Sequence, residues 1–267
     1  MNLGLQSSIY NGLQLKDEIY TALNQRVNTF DIFFDNWSPS DIPEETYNLL
    51  STIKNNNDLI FTIHLPINFF ELSHGEQQEF YAFINYLKPK TITVHFNTLS
   101  YDLLKELVNV AHENESILSI ENTIPNTHKI YGIDYLGFMI EAKKVLEYSE
   151  TKNAFSATID TGHSFVNGIT PDFYVKELTK NEIEIATVHL HDNDGTADSH
   201  NPLGTGKIDF ISFINELKNH NHNPYLIIEH WSEFNKSIEY LENNSLHLKE
   251  SFQYHYRAHK YSHSASQ

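Results

Sequence analysis

Eight short runs of β-branched and aromatic residues recur along the chain, at residues 3–9, 29–35, 59–65, 91–96, 117–121, 155–160, 185–191 and 225–230. No other feature limits the possible folds as much. Between the runs, apolar residues return every three or four positions, as in Leu103, Leu104, Leu107, Val108 and Ala111, or Phe210, Phe213, Ile214 and Leu217. That is the period of a helix burying one face. Strand and helix therefore alternate, which implies a parallel sheet covered by helices and buried on both faces. Eight such units close the sheet into an α/β fold of the (β/α)8 TIM barrel type, as a single domain. The 267 residues are the usual length for one such barrel. An open doubly wound sheet is the alternative, but no G-x-G-x-x-G follows the first run. The barrel is expected over 1–248, with a polar C-terminal tail at 249–267. Helix starts are marked by Asp41-Ile-Pro43 ahead of Glu44 and Glu45, by Ser73 with Glu76 three residues on, and by Thr170-Pro171-Asp172.

Charge and composition narrow the chemistry. Eighteen Lys plus Arg against 35 Asp plus Glu leave a net charge of −17, so a nucleic-acid partner or an anionic membrane is not expected. With no cysteine, a metal ion would have to be held by oxygen and imidazole nitrogen. The first residues show no basic region followed by an apolar run, and no apolar stretch approaches 18 residues. Neither a secretory signal nor a membrane span is therefore expected, and a cytoplasmic location is. Nothing in the sequence marks an oligomer interface.

Barrel active sites lie at the C-terminal ends of the strands, and there the metal-binding residue types gather. His64, His95, Glu121, Asp160, His189 and Glu229 end or nearly end strands three to eight, and the following loops add His163, Asp198 and His200. Singly, each reads as a helix cap or a hydrogen-bonded core residue. Together they bring several carboxylates into one low-dielectric mouth, where they repel one another unless a cation neutralises them. Imidazole and carboxylate without sulfur suit Zn, Mn, Co or Fe better than Ca. Gly162, Gly204 and Gly206 would let the surrounding loops turn tightly. Lys207 is the one cation near the mouth that would suit a sugar phosphate. Trp37, Phe69, Phe70 and Trp231 lie near strand ends, where they would wall a sugar.

With Ile63-His64-Leu-Pro66, Val94-His95, Glu121-Asn-Thr123, Ile159-Asp160-Thr-Gly-His163, Val188-His189-Leu-His-Asp192, Asp198-Ser-His200-Asn-Pro-Leu-Gly204-Thr-Gly206 and Ile228-Glu229, the chain resembles the xylose isomerase-like barrel superfamily over roughly residues 1–248. That superfamily joins sugar isomerases and epimerases, inosose dehydratases and endonuclease IV-type repair enzymes. The resemblance to its epimerases implies one divalent metal on Glu121, Asp160, His189 and Glu229. Glu121 and Glu229 would serve as the catalytic pair, exchanging a proton beside a carbonyl through an enediolate. His163, His64 and His95 would then contact a small carbohydrate substrate. The resemblance to endonuclease IV implies up to three zinc ions, on His64, His95 and Glu121, on Glu121, Asp160, His189 and Glu229, and on His163, Asp198 and His200. A phosphodiester hydrolase, a dehydratase or lyase, and a barrel that only binds a small molecule are thus the alternatives to a metal-dependent isomerase. Against DNA repair, Val94-His95-Phe-Asn lacks the His-Pro-Gly of that group. Asp192-Asn-Asp-Gly195 replaces its Asn-Asp-Ser/Ala-Lys, and the only arginines are Arg26 and Arg257.

Overall fold

A computed structural model describes residues 1–7, 12–230 and 233–244. The eight expected strands all form: β1 (Asn2–Gln6), β2 (Thr29–Phe33), β3 (Ile60–His64), β4 (Thr91–His95), β5 (Ile117–Glu121), β6 (Phe155–Asp160), β7 (Ile185–Leu190) and β8 (Tyr225–Ile228). They pair in sequence order, every pair parallel, and β1 pairs with β8 to close the barrel. All strands but the fifth and sixth end one to three residues earlier than the sequence runs, so Glu229 stands one residue beyond β8. Its N–H still donates to the Leu190 carbonyl (3.1 Å), which holds it to the barrel rim.

Around the barrel run α1 (Leu15–Leu23), α2 (Glu44–Asn56), α3 (His74–Leu87), α4 (Tyr101–Glu113), α5 (Tyr135–Leu146), α6 (Thr161–Val166), α7 (Pro171–Lys180), α8 (Phe210–Asn219) and α9 (Phe234–Asn243). The sequence markers explain their starts. Ser73 accepts from the Glu76 N–H while the Glu76 carboxylate accepts from the Ser73 N–H, a reciprocal cap. Pro171 fills the first turn of α7, where its missing N–H costs nothing. Leu104, Leu107, Val108 and Ala111 on α4, and Phe210, Phe213, Ile214 and Leu217 on α8, are the buried stripes that the periodicity predicts.

The strands divide their two faces more sharply than their sequences suggest. Ile32, Ile63, Val94, Ile120, Ile159 and Val188 are at most 1% exposed and belong to the apolar core. The alternate positions fill the barrel with small hydroxyls. Thr187 on β7 donates to Thr91 on β4 (3.1 Å), two strands that are not neighbours, so both side chains point inward. Thr158 and Ser119 (2.6 Å) and Thr62 and Asp31 (2.6 Å) make similar links. At the strand ends the same inward parity delivers His64, His95, Glu121, Asp160 and His189 to the barrel mouth.

Gly4 on β1 is fixed by space. A Cβ there would lie 2.8 Å from Ile227 Cδ1 and 2.9 Å from the Thr29 carbonyl oxygen. Gly4→Ala is expected to cost ~1–3 kcal/mol by overpacking, read as a lower denaturant midpoint. A midpoint equal to that of the parent would mean that the barrel relaxes there freely.

Candidate metal centre and active site

Ten His, Asp and Glu side chains meet at the C-terminal mouth. Register sets two of the neighbouring pairs, because His95 lies beside Glu121 and Asp160 beside His189 on adjacent strands. Glu121, fully buried, is the hub. Its Oε2 lies 2.6 Å from His64 Nε2 and 3.4 Å from His95 Nε2, and its Oε1 lies 3.2 Å from His189 Nδ1 and 3.5 Å from His163 Nδ1. Glu229 Oε2 stands 3.6 Å from the same His189 nitrogen. Asp160 ends β6 and also caps α6, accepting from the His163 N–H (2.6 Å), so one residue fixes both the strand end and the turn that carries His163.

The β7–α8 loop adds the second half of the cluster. Asp198 Oδ2 lies 3.3 Å from His163 Nε2 and 3.2 Å from His200 Nε2. His200 stacks on His191, with ring centroids 3.9 Å apart and planes 1° from parallel. His191 Nε2 lies 3.1 Å from both Asp160 oxygens, 3.7 Å from Asp198 and 3.9 Å from Glu229. His191 therefore joins the two halves, although the sequence reading did not single it out. The signal was present: His189 and His191 are two apart, the spacing that returns a side chain to the same side of an extended chain. Gly162 serves this residue, since a Cβ there would sit 1.9 Å from the His191 ring. Close approach, rather than a tight turn, is what requires glycine at positions 162 and 206. Gly204, with φ +81°, is the turn.

These donors fit a metal ion. His64, His163 and His200 each donate Nδ1–H to a backbone carbonyl, of Leu65 (2.7 Å), Asn122 (2.9 Å) and Glu229 (2.9 Å), because a carbonyl can only accept. Each thereby fixes its tautomer and turns Nε2 toward a carboxylate, the arrangement that outer partners impose on metal-ligating histidines. Glu229 Oε2, 3.6 Å from His189 Nδ1 and 3.9 Å from His191 Nε2, is buried without a hydrogen-bond partner, and buried polar atoms rarely stay so. Three groups could each hold an ion, with ligand atoms within 4.8 Å of one another: His64, Glu121 and His189; Glu121, Asp160, His189 and Glu229; and His191, Asp198 and His200.

The remaining candidates fall elsewhere. Lys207 is exposed, and its Nζ donates to the Asp194 carbonyl (3.4 Å), outside the cluster. Trp37 packs on Phe34 with centroids 4.4 Å apart, and Phe69 is fully buried among Phe70, Phe80 and Tyr81, so both serve packing. Trp231 and the tail at 249–267 lie outside the described residues.

Electrostatics push the two glutamates apart. Burial opposes ionisation of Glu121, but His189, His95, His64 and the His163 hydrogen bond outweigh it and hold its pKa well below the usual carboxylate range. Burial raises the pKa of Glu229, helped by Asp160 and Glu121 and opposed by His189 and His200. Burial also works against protonating His189 and His200, yet Glu121 and Glu229 around the first, and Asp198 and Glu229 around the second, lift both to about 10. A histidine raised above its unfolded value of ~6.5 contributes stability that is complete below that pH and is lost as pH climbs toward 10. Ions compete for the same nitrogens. In chelator, the melting temperature should fall between pH 6.5 and 9, while ion-loaded protein resists. Parallel profiles in scanning calorimetry would show that protons and ions do not share these sites.

The comparisons with known proteins agree with this architecture. The protein MJ1614 of Methanocaldococcus jannaschii is 27% identical over 215 residues, 72% of this chain and 78% of the relative. The structure of a D-tagatose 3-epimerase-like protein superposes with a TM-score of 0.71 at 20% identity, covering 91% of this chain and 97% of the other. D-allulose 3-epimerase from Methylomonas sp. gives 0.66 at 13%, covering 91% and 98%. At these identities the two structures establish likeness of fold. Among the described residues no helix is long and apolar enough to cross a membrane. The family model named xylose isomerase-like TIM barrel matches residues 74–251, the stretch that carries all of the clustered residues except His64, and the chain belongs to that family.

Proposed function

We propose that the protein is a divalent-metal-dependent isomerase or epimerase that moves a proton on carbon beside the carbonyl of a small sugar or polyol-derived ketone. The observation that carries this reading is the placement of two glutamates, Glu121 and Glu229, around one cluster with Asp160 and His189, so that an ion held there would lie between them. When bound, the ion would polarise the substrate oxygens and stabilise negative charge developing on them. Glu121, whose surroundings favour the carboxylate, would take the proton; Glu229, whose burial favours the acid, would return one from the other side. His163 and His95, at the rim of the cluster with side chains 14% and 10% exposed, would meet the substrate hydroxyls. The fold neighbours named as ketose 3-epimerases add weight to a ketose substrate.

The test is a panel of free ketopentoses and ketohexoses supplied with Mn, Co, Zn or Fe, with the products separated by chromatography. Appearance of an epimer or isomer is the expected outcome. A panel that stays unchanged beside folded, ion-loaded protein would dispose of the reading. A second reading, phosphodiester hydrolysis at a trinuclear zinc site, is favoured by one observation: His64, His95, His163, Asp198 and His200 extend the donor set beyond what a single ion takes. Cleavage of an abasic-site duplex with zinc supplied, without action on any ketose, would select it.

A further inference from the structure

Asp192 lies just outside the cluster, fully buried, and among the described residues no positively charged side chain pairs with it. Among the described residues its carboxylate is met by backbone donors alone. Oδ2 accepts from the N–H of Gly204 (3.0 Å) and Gly206 (2.8 Å), and Oδ1 from the N–H of Asn193 (2.9 Å) and Ile208 (3.2 Å). Asp192 and Asn201 also exchange a pair of backbone hydrogen bonds, both 2.9 Å. One side chain thus ties the start of the β7–α8 loop to its return, and the excursion between 192 and 201 is the segment that bears Asp198 and His200. Gly206 is part of the same device, because a Cβ there would lie 2.3 Å from Asp192 Oδ1 and 2.4 Å from the Asn193 carbonyl oxygen.

We infer that Asp192 is a positioning residue for ion binding: by closing this loop on its carboxylate it presents Asp198 and His200 to His191 and His163, and so builds the loop half of the centre. A carboxylate suits the task because it accepts on both oxygens. An amide of the same size would set an NH2 group against two backbone N–H donors, and a buried donor facing donors loses its hydrogen bonds at both ends. The loop half should therefore open without harm to the strand-end half, whose donors sit on β3 to β7 and just beyond β8 and are spaced by the barrel. The inference rests on the proposed ion centre and not on the sugar chemistry proposed for it.

The experiment is a Co²⁺ titration of the full-length chain followed by visible absorption, which reports both the equivalents bound and the coordination of each ion. His200→Ala removes a loop donor directly and serves as the reference. Asp192→Asn is expected to match it, losing the same loop-dependent equivalents and the same part of the spectrum, with affinity for them about 10–100-fold weaker. The strand-end equivalents should remain. Should Asp192→Asn fail to fold, Gly206→Ala displaces the same carboxylate from a partly exposed loop position and should give the same titration. Asp192→Asn or Gly206→Ala chains that titrate like the parent while His200→Ala does not would overturn the inference. So would a His200→Ala chain that titrates like the parent, since the loop would then hold no ion. Absence of activity on any sugar leaves these titrations unaffected, so the two proposals fail separately.

Discussion

A chain carrying Glu229→Gln should fold, keep its ion and lose about 10²–10⁴ of its turnover. Glutamine preserves the volume and one ligating oxygen but cannot carry the proton. Glu229 is the right residue to ask, because it stands beyond β8, outside the register that fixes the strand-borne donors, and is tied to the barrel through its own N–H rather than through its side chain. The loss should fall on kcat more than on KM, since the proton is in flight only in the transition state. Glu121→Gln should be as inactive and also less stable, because the hub carboxylate that His64, His95, His163 and His189 all approach would be gone. If either variant turned over substrate like the parent while folded, the two-glutamate mechanism could not stand.

Removing the ion should have the second largest effect. Four carboxylates, Glu121, Asp160, Asp198 and Glu229, converge at the mouth, three of them at most about one-tenth exposed. Without a cation their repulsion is relieved only by protons on the neighbouring imidazoles. An ion present at a thousandfold excess over its dissociation constant stabilises the native state by about 4 kcal/mol. For a chain of this size that is a rise in melting temperature of about 8–16 °C over protein in chelator. Thermal scans with Zn, Mn, Co and Fe each against chelator make the comparison. A rise below about 2 °C for all four would mean that the cluster closes on itself through hydrogen bonds.

Most of this architecture is legible in the sequence. Eight strand-like runs were enough to give the barrel because strand number and closure are linked, and strand parity then placed His64, His95, Glu121, Asp160 and His189 in the mouth. What the sequence hid has physical reasons. The apolar runs appeared buried on both faces, and they are, but the inward face is made of Thr and Ser whose hydroxyls bond to one another across the barrel, a pairing visible only once strands four and seven face each other. His191 lies within the run at 185–191, but its part in the cluster shows only once Asp160 and the His200 ring stand against it. The part played by Asp192 is not legible in the sequence, because its partners are backbone amides up to sixteen positions away. Glycine read as a turn marker at 162 and 206, whereas there it makes room for a ring and for a carboxylate.

The proposed centre moves a proton between solvent-exchangeable carboxyl groups and carbon, with an ion required. Incubating the loaded protein with a responsive ketose in D2O and following the sugar by NMR tests it directly. Deuterium should enter at a single carbon, in substrate and product alike, at a rate that falls to background when chelator removes the ion. Product formed without solvent deuterium, or exchange that persists undiminished in chelator, would contradict it.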